Sequence, residues 1–203
     1  VIDYGAGNLF SLSRSLAYLG IEAAVTRDAQ VVRQADQIIV PGVGAYGDAI
    51  AALRASQMDK VVTEQACLGK PVLGICLGMQ LLFEGSLEYG RHVGLGLLPG
   101  MVQPLAETLT EPVKVPHMGW NNLEPTGAHP LADGLRAGEQ VYYVHSFYVP
   151  ENTATVARTL YGGASITGIA ARGSVCGCQF HPEKSGPVGL AMLAAFAAMK
   201  GVQ

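Results

Sequence analysis

The chain has 203 residues and a formal net charge of −3, with 49% hydrophobic and 14% charged residues. This length suits one domain with a substantial core, and the low charge content excludes an intrinsically disordered chain. The weakly acidic balance without a basic stripe argues against a nucleic-acid partner. No apolar run approaches the ~20 residues that span a bilayer, and we expect no signal peptide. These features predict a cytoplasmic protein without membrane contacts, folded as a single domain over residues 1–203.

The first part of the chain alternates short apolar runs with amphipathic segments. Asn8 is a suitable N-cap for the first helix, and Gly20 is a suitable stop. This β-α-β alternation predicts a parallel sheet with helices on both faces. In chain order the predicted elements are strand Val1–Asp3, helix Leu9–Leu19, strands Ile21–Thr26 and Gln37–Val40, helices Tyr46–Leu53 and Asp59–Leu68, and strand Val72–Ile75.

The pattern changes after Gly85, where short runs are separated by turn signals and predict antiparallel strands. An alanine-rich apolar segment near the end predicts a helix that packs on the sheet. The predicted strands are Gln140–Val149, Thr155–Tyr161, Ser165–Arg172 and Val175–Phe180, and the helix is Val188–Met199. The fold class expected is therefore α/β: an open, mostly parallel sheet with helices on both faces and additional antiparallel strands in the C-terminal half.

A glycine-flanked cysteine, Cys76, follows the strand Val72–Ile75 within the sequence Gly-Ile-Cys-Leu-Gly. A residue at such a strand-to-helix turn is held in a strained conformation, so small neighbours are needed on both sides. The dipole and the unpaired N–H groups of the following helix would stabilise a thiolate there. The alternative is a buried structural thiol, but an ordinary core cysteine needs no flanking glycines.

A histidine and a carboxylate lie two positions apart in the C-terminal half. Pro182 biases His181 towards an extended conformation, in which residues two apart point the same way. Glu183 can therefore hold one ring nitrogen of His181 while the other faces Cys76. Nucleophile, base and orienting carboxylate are the minimum set for acyl transfer through a thioester. The alternative is an incidental His–Glu pair on the surface.

The turn Pro-Gly-Val-Gly at residues 41–44 follows the predicted strand Gln37–Val40. Its two glycines permit unusual peptide orientations, so the N–H of Val43 or Gly44 can face an oxyanion. The N–H of Leu77 would form the other arm. Ligands of open α/β sheets bind beyond the carboxyl ends of the strands, where this turn and Cys76 should meet. The alternative is an ordinary strand-to-helix turn.

Three motifs together resemble the class I (triad) glutamine amidotransferases: Gly-Ile-Cys-Leu-Gly-Met-Gln from residue 74, Pro-Gly-Val-Gly from residue 41 and Phe-His-Pro-Glu-Lys-Ser from residue 180. The segments Asp-Tyr-Gly-Ala-Gly-Asn from residue 3 and Pro-His-Met-Gly-Trp-Asn from residue 116 resemble the glutaminase subunits of imidazole glycerol phosphate synthases. The resemblance spans nearly the whole chain in order. It implies a flavodoxin-like amidotransferase domain that acts on L-glutamine with no metal and no organic cofactor.

The resemblance also implies how glutamine is bound and hydrolysed. Cys76 attacks the side-chain amide, His181 transfers protons and Glu183 orients His181, so that glutamate and ammonia are released. Two of the implied binding residues have ordinary alternatives, since Glu88 can be a solvated loop carboxylate and His145 a core histidine. The residues implied in glutamine binding are Gln80, Glu88, His145, Ser146 and Phe147.

Free ammonia becomes protonated and diffuses away in water, yet the chain shows no acceptor domain of its own. We therefore expect the acceptor site on another polypeptide. The resemblance names it as a (β/α)8-barrel cyclase subunit, forming a heterodimer that makes imidazole glycerol phosphate and aminoimidazole carboxamide ribotide in histidine biosynthesis. Trp120 is the only tryptophan, a residue type enriched at interface hot spots, although it can also be a core anchor. The expected interface residues are Met118, Trp120, Tyr142 and Lys184.

Other activities use the same Cys–His–Glu set. One is the glutaminase subunit of another synthase, of the anthranilate or pyridoxal phosphate type, against which the Pro-His-Met-Gly-Trp-Asn segment argues. Another is a stand-alone γ-glutamyl cysteine hydrolase, which would turn over without a partner. A non-enzymatic binding module would have lost the nucleophile, whereas all three residues are present. The pair Cys176 and Cys178 shares one strand face, and we expect it in the structural core.

Overall fold

Two sheets and their flanking helices make up the computed structural model, which describes residues 1–201. The last two residues of the expected domain lie outside this range. The helices are α1 (Leu9–Tyr18), α2 (Ala29–Gln34), α3 (Tyr46–Ala55), α4 (Met58–Cys67), α5 (Leu77–Leu82) and α6 (Gly186–Ala198). The strands are β1 (Ile38–Val40), β2 (Val72–Ile75), β3 (Phe83–Ser86), β4 (His92–Val93), β5 (Leu98–Pro104), β6 (His117–Pro125), β7 (Glu139–His145), β8 (Phe147–Tyr148), β9 (Thr155–Tyr161), β10 (Ala164–Arg172) and β11 (Val175–Cys178). Within residues 1–201, none of the helices has both the length and the apolar character needed to cross a bilayer.

The larger sheet has seven strands in the order β1-β2-β11-β10-β9-β6-β7. Strands β1, β2 and β11 are parallel to one another, and the pairs from β11 to β7 are antiparallel. The α/β class and the antiparallel strands of the C-terminal half are thus confirmed, with a more mixed sheet than expected. A second sheet, in the order β4-β3-β5-β8, was not foreseen from the sequence.

The first two predicted strands differ from the structure, because Val1–Asp3 and Ile21–Thr26 form only one isolated parallel bridge, between Ile2 and Thr26. The N–H of Ile2 donates to the carbonyl of Ile39 over 2.9 Å, so these residues still continue the parallel edge beyond β1. Residues 22–25 are exposed. A segment without a buried face has little to fix its register, so no ladder forms there.

Alternate residues of β1 point into two separate cores. Ile38 and Val40 belong to a core that contains buried residues of α3 and α4. Ile39 packs instead into a core that contains buried residues of α1 and α6. Because successive side chains of a strand point to opposite faces, this division confirms that helices cover both faces of the parallel part.

Glycines allow the turn between β2 and α5 to pack against β1. A Cβ atom at Gly78 would collide with the backbone carbonyl oxygen of Val40, and one at Gly74 would lie 2.5 Å from the Cα of Met79. Real Cβ atoms do not approach backbone atoms this closely, so both positions require glycine. The prediction that small residues are needed on both sides of the turn is confirmed, because backbone atoms pack against both positions.

Two buried histidines face each other across β6 and β7, where His117 pairs with His145. His145 Nδ1 lies 2.9 Å from the carbonyl oxygen of Phe147, which can only accept, so this nitrogen donates. His145 Nε2 therefore accepts from His117 Nδ1 over 3.0 Å, and His117 Nε2 accepts from Asn121 Nδ2 over 3.1 Å. This direction of donation requires both imidazoles to be neutral.

Burial lowers the pKa of His117 to about 4. Burial, followed by the charge of neighbouring His117, lowers the pKa of His145 to about 3. In the unfolded chain each imidazole would titrate near pH 6.5. The unfolded state therefore binds more protons below this pH, and the stability that the neutral pair contributes is present above pH 6.5 and lost as the pH falls.

We predict that Gly78→Ala lowers the free energy of unfolding by on the order of 3 kcal/mol or more, since the collision is with strand backbone that cannot yield alone. Urea unfolding followed by circular dichroism measures this change. Gly127→Ala is the matched control, because its nearest atoms would lie at 3.6 Å and its φ is not positive. Equal stabilities for the two variants would contradict the packing account.

We predict that the free energy of unfolding falls between pH 6.5 and pH 4, with each buried histidine adding up to ~1.4 kcal/mol per pH unit. Urea unfolding at a series of pH values measures the slope. His117→Phe removes one titrating group and keeps a ring between Tyr143 and Tyr161, whose rings stack with His117. This variant should show a shallower slope, whatever its stability at pH 7.5. An unchanged slope would contradict the assignment.

Candidate active site

A pocket of about 360 Å³ opens where β1, β2 and β11 end. With the exception of Glu183, every residue predicted for catalysis, the oxyanion hole or glutamine binding lines it. Glu183 lies behind His181. The lining residues that sequence reasoning missed are Tyr89, Pro116 and Val144. The predicted lining residues are Val43, Gly44, Cys76, Leu77, Gln80, Glu88, His145, Ser146, Phe147 and His181.

Cys76 occupies a strained turn between β2 and α5, with φ 53° and ψ −112°. A positive φ is unusual for a residue with a Cβ and costs roughly 1–3 kcal/mol. Two backbone bonds hold the conformation: its N–H donates to the carbonyl of Cys178 over 2.8 Å, and its carbonyl accepts from the N–H of Gln80 over 3.1 Å. Cys76 therefore lies at the start of α5 and beside the end of β11.

His181 and Glu183 form a buried pair, with Nδ1 and Oε1 2.8 Å apart and each side chain 3% exposed. The carboxylate fixes the proton on Nδ1. Nε2 of His181 is buried and has no partner of hydrogen-bond geometry within residues 1–201. Burial lowers the pKa of His181, but the Glu183 hydrogen bond and the negative charges that Cys76 and Glu183 can carry outweigh burial and raise it to about 10. The surroundings of His181 thus favour the protonated ring.

The turn after β1 is packed against the start of α5. The hydroxyl of Tyr4 donates to the carbonyl of Pro41 over 2.7 Å, and a Cβ at Gly42 would lie 2.6 Å from the backbone nitrogen of Gly78. Gly44 has φ +103°, which favours glycine. Within residues 1–201, no backbone acceptor takes the N–H of Val43 or of Gly44. Both groups are thus free to bind a ligand.

Two glutamine amides connect the pocket wall to the sulfur. Gln80 Nε2 donates to the carbonyl of Phe147 over 2.9 Å and to Oε1 of Gln179 over 3.0 Å. Gln179 Nε2 in turn lies 3.7 Å from the Sγ of Cys76. Sequence reasoning missed Gln179, although it precedes His181 by two residues, the same spacing that joins His181 to Glu183.

The other predicted binding residues form the rim of the pocket. Glu88 is only 7% exposed and accepts from the N–H of Tyr46 over 3.1 Å, so it is not a solvated loop carboxylate. Burial raises the pKa of Glu88. His145 lines the pocket, but both ring nitrogens are engaged, by His117 and by the Phe147 carbonyl. A contact from His145 to a ligand would therefore come from its backbone.

Three of the four predicted interface residues lie close together and Met118 is two positions from Trp120 on β6; we call the four the aromatic patch (Met118, Trp120, Tyr142 and Lys184). Trp120 is 53% exposed and Met118 65% exposed, so Trp120 is not a core anchor. Trp120 lies opposite Tyr142 across β6 and β7, with ring centroids 6.2 Å apart, and Lys184 Nζ lies 5.8 Å from the Tyr142 ring centroid. The carbonyl of Tyr142 accepts from the N–H of His181 over 3.0 Å, which joins this patch to the site.

Cys176 and Cys178 are fully buried, as expected for structural thiols. Burial raises the pKa of Cys176 to about 12 and that of Cys178 well above its ordinary value. Both remain neutral at physiological pH. Cys67, at the end of α4, is exposed and free.

Comparison with known proteins places these motifs in one family. The model of the family "Glutamine amidotransferase class-I" matches residues 1–199. The imidazole glycerol phosphate synthase subunit HisH of Bacillus cytotoxicus is 46% identical over 202 residues, which cover 100% of this chain and 93% of that protein. The subunit of the same name from Oceanobacillus iheyensis is 48% identical over 195 residues, which cover 95% of this chain and 94% of that protein.

Solved structures show the same fold at lower identity. A crystal structure of a glutamine amidotransferase is 20% identical with a TM-score of 0.74, covering 97% of this chain and 98% of that one. PurLQS from Thermotoga maritima is 21% identical with a TM-score of 0.73, covering 96% and 94%. Fold, sequence relatives and the match over residues 1–199 agree, and the chain belongs to the class-I glutamine amidotransferase family.

Proposed function

We propose that this chain is the glutaminase subunit of an imidazole glycerol phosphate synthase, which hydrolyses L-glutamine and passes the ammonia to a cyclase subunit in histidine biosynthesis. The observation that carries the proposal is the Cys76 elbow in one pocket with the buried His181–Glu183 pair. The relatives' shared name and near-complete coverage support the choice of synthase. We propose residues 1–203 as one amidotransferase domain.

Cys76 is the proposed nucleophile. Cys76 lies in one pocket with His181, and an imidazolium beside a thiol favours the thiolate. The thiolate attacks the side-chain amide carbon of glutamine, and the carbonyl electrons move to the oxygen. The N–H of Leu77, first in α5, and that of Val43 or Gly44 are the proposed donors to this oxyanion. One such donor is worth roughly 3 kcal/mol.

His181 then acts as the acid and afterwards as the base. Its proton passes to the amide nitrogen as the C–N bond breaks, so that ammonia leaves and a γ-glutamyl thioester remains on Cys76. The now neutral ring takes a proton from water, whose oxygen attacks the thioester carbon. The sulfur departs with the C–S electron pair and glutamate is released. Glu183 keeps Nδ1 protonated, so that Nε2 carries out each transfer.

The α-amino end of glutamine fits the acceptors on the pocket wall. Both N–H groups of Gln80 are used by Phe147 and Gln179, so its Oε1 is left to accept from a substrate. Glu88, buried at the rim, adds a carboxylate. The α-ammonium group of glutamine is the donor that suits Gln80 Oε1 and the Glu88 carboxylate. Backbone N–H groups of Ser146 and Phe147 are proposed to donate to the α-carboxylate.

The proposed partner is a (β/α)8-barrel cyclase subunit, bound through the aromatic patch in a heterodimer. The patch follows directly on the site, since Lys184 is next to Glu183 and Tyr142 bonds to His181. Ammonia made in the pocket would therefore be released beside the partner. The four cysteines are free thiols, which supports a reducing cytoplasmic location.

We predict that Cys76→Ala reduces glutamate release from glutamine at least a thousandfold, since no other group supplies the nucleophile. Glu183→Gln should lose roughly a hundredfold or more, because the neutral amide no longer fixes the imidazolium. The assay is enzymatic glutamate detection with and without a cyclase subunit and its nucleotide ligand. Cys67→Ser, which alters an exposed thiol outside the pocket, is the control and should keep full activity.

Full turnover by Cys76→Ala would rule out the thioester route. The same assay separates the alternatives. High activity of the chain alone would favour a stand-alone γ-glutamyl cysteine hydrolase, and stimulation only by an anthranilate- or pyridoxal-phosphate-type synthase would favour another glutaminase subunit.

We predict that Trp120→Ala weakens cyclase binding about tenfold or more, because a half-exposed tryptophan in an aromatic cluster is a typical hot spot. Isothermal titration calorimetry measures the dissociation constant. Tyr18→Ala is the control, since Tyr18 is exposed at the end of α1 that points away from the carboxyl ends of the strands. Equal binding by both variants would remove Trp120 from the interface.

A further inference from the structure

A fully buried amide donates to the proposed nucleophile. Gln179 has no exposed surface, and its Nε2 lies 3.7 Å from the Sγ of Cys76. Its backbone N–H is used elsewhere, by the carbonyl of Gly168 over 2.9 Å. The side chain leaves the main chain between β11 and His181 and so reaches the sulfur from the strand that also delivers the histidine.

The neighbours of Gln179 determine which end of its amide faces the sulfur. Its Oε1 accepts from Gln80 Nε2 over 3.0 Å, and the other hydrogen of that nitrogen goes to the carbonyl of Phe147 over 2.9 Å. A backbone carbonyl can only accept, which fixes the amide of Gln80. Turning the Gln179 amide over would set two NH₂ groups against each other and place a carbonyl oxygen against Cys76. The NH₂ group therefore faces the sulfur.

The acceptor that fixes Gln80 is itself held from behind. The carbonyl of Phe147 also accepts from His145 Nδ1 over 2.9 Å, and His145 is bonded to His117 in the β6–β7 pair. Both N–H groups of Gln80 Nε2 and the Nδ1–H of His145 therefore have fixed acceptors. The orientation of Gln179 thus follows from a hydrogen-bond network anchored in the core and does not depend on the sulfur.

We propose that Gln179 is a further catalytic residue, whose amide N–H donates a hydrogen bond to the Cys76 sulfur and stabilises it as a thiolate. This inference rests on the proposed function, in which Cys76 is the nucleophile. Hydrogen bonds to ionised groups are about twice as strong as those between neutral groups. The bond acts before attack and again when water cleaves the thioester, because the C–S electron pair then returns to the sulfur.

Stabilising a thiolate also makes it intrinsically less nucleophilic. The nucleophilicity of a thiolate falls with its pKa with a Brønsted coefficient of about 0.4–0.5. As long as the thiol is not fully ionised, this loss is smaller than the gain from the larger thiolate fraction. In the second half-reaction the sulfur is the leaving group, and stabilisation helps without such a loss. Gln179 therefore affects the rate of chemistry, whereas Gln80 and Glu88 affect the binding of glutamine.

Two substitutions separate donation from packing. Gln179→Leu removes the donor at similar size. Gln179→Glu likewise keeps the size and, unlike leucine, keeps an oxygen that can accept from Gln80 Nε2. It places a carboxylate oxygen, which cannot donate, against the sulfur. Gln65→Leu is the matched control, since Gln65 is a buried amide on α4 that does not line the pocket. All variants carry Cys67→Ser, so that Cys76 is the accessible thiol, and circular dichroism verifies their folding.

The first readout is alkylation of Cys76 by iodoacetamide across pH, followed by mass spectrometry. The midpoint should move up by about one pH unit in Gln179→Leu and further in Gln179→Glu, as expected for loss of one bond to a charged group. The second readout is glutamine hydrolysis in the cyclase complex, where kcat should fall about tenfold with KM within about twofold. Gln65→Leu should change neither readout.

An unmoved midpoint with wild-type kcat in both Gln179 variants would overturn the inference and leave Gln179 a packing residue. If Gln179→Leu does not fold, Gln179→Glu decides, because it retains size and the bond to Gln80. The alkylation readout needs no glutamine, so it remains decisive even if the wild-type chain hydrolyses none. That last result would instead refute the proposed function.

Discussion

The backbone contact between the start of α5 and the turn after β1 is the constraint on which the site depends. Gly78 lies against the carbonyl of Val40, and Gly42 lies against the N–H of Gly78. Because glycines stand at these contacts, the two turns approach at backbone distance, and Cys76, which precedes α5, has a positive φ of 53°. The strain of roughly 1–3 kcal/mol is offset by α5 itself, whose residues are all buried.

The pairing of β11 with β2 then brings together residues about a hundred positions apart. Strand β11 runs parallel to β2 with Cys178 opposite Ile75, and the Cys76 N–H donates to the carbonyl of Cys178. The chain that leaves β11 must therefore pass the sulfur. Gln179 and His181 arrive there without any long loop to position them, and rigid elements hold side chains more accurately than loops do.

Local chemistry explains which parts of this arrangement the sequence could predict. Helix α1 follows from its Asn8 cap, whose side chain accepts from the N–H of Ser11, and β2 and β9 have the predicted bounds because their patterns are strong. The second sheet was missed, since β3, β4 and β8 have two to four residues each and show no clear alternation. Gln179 was missed because its orientation depends on Gln80, 99 positions away.

Two polar atoms of the proposed triad are buried without a hydrogen-bond partner among the described residues. Within residues 1–201, His181 Nε2 and Glu183 Oε2 are among the few buried side-chain atoms without a hydrogen-bond partner. Folded proteins rarely leave such groups unpaired, because each costs about 1–3 kcal/mol. A fixed acceptor on Nε2 would compete with the leaving nitrogen of glutamine for the proton, and general acids must keep that proton available. In the proposed mechanism the unpaired nitrogen therefore keeps its proton available for glutamine, and the Glu183 bond to Nδ1 leaves Nε2 as the ring's free donor.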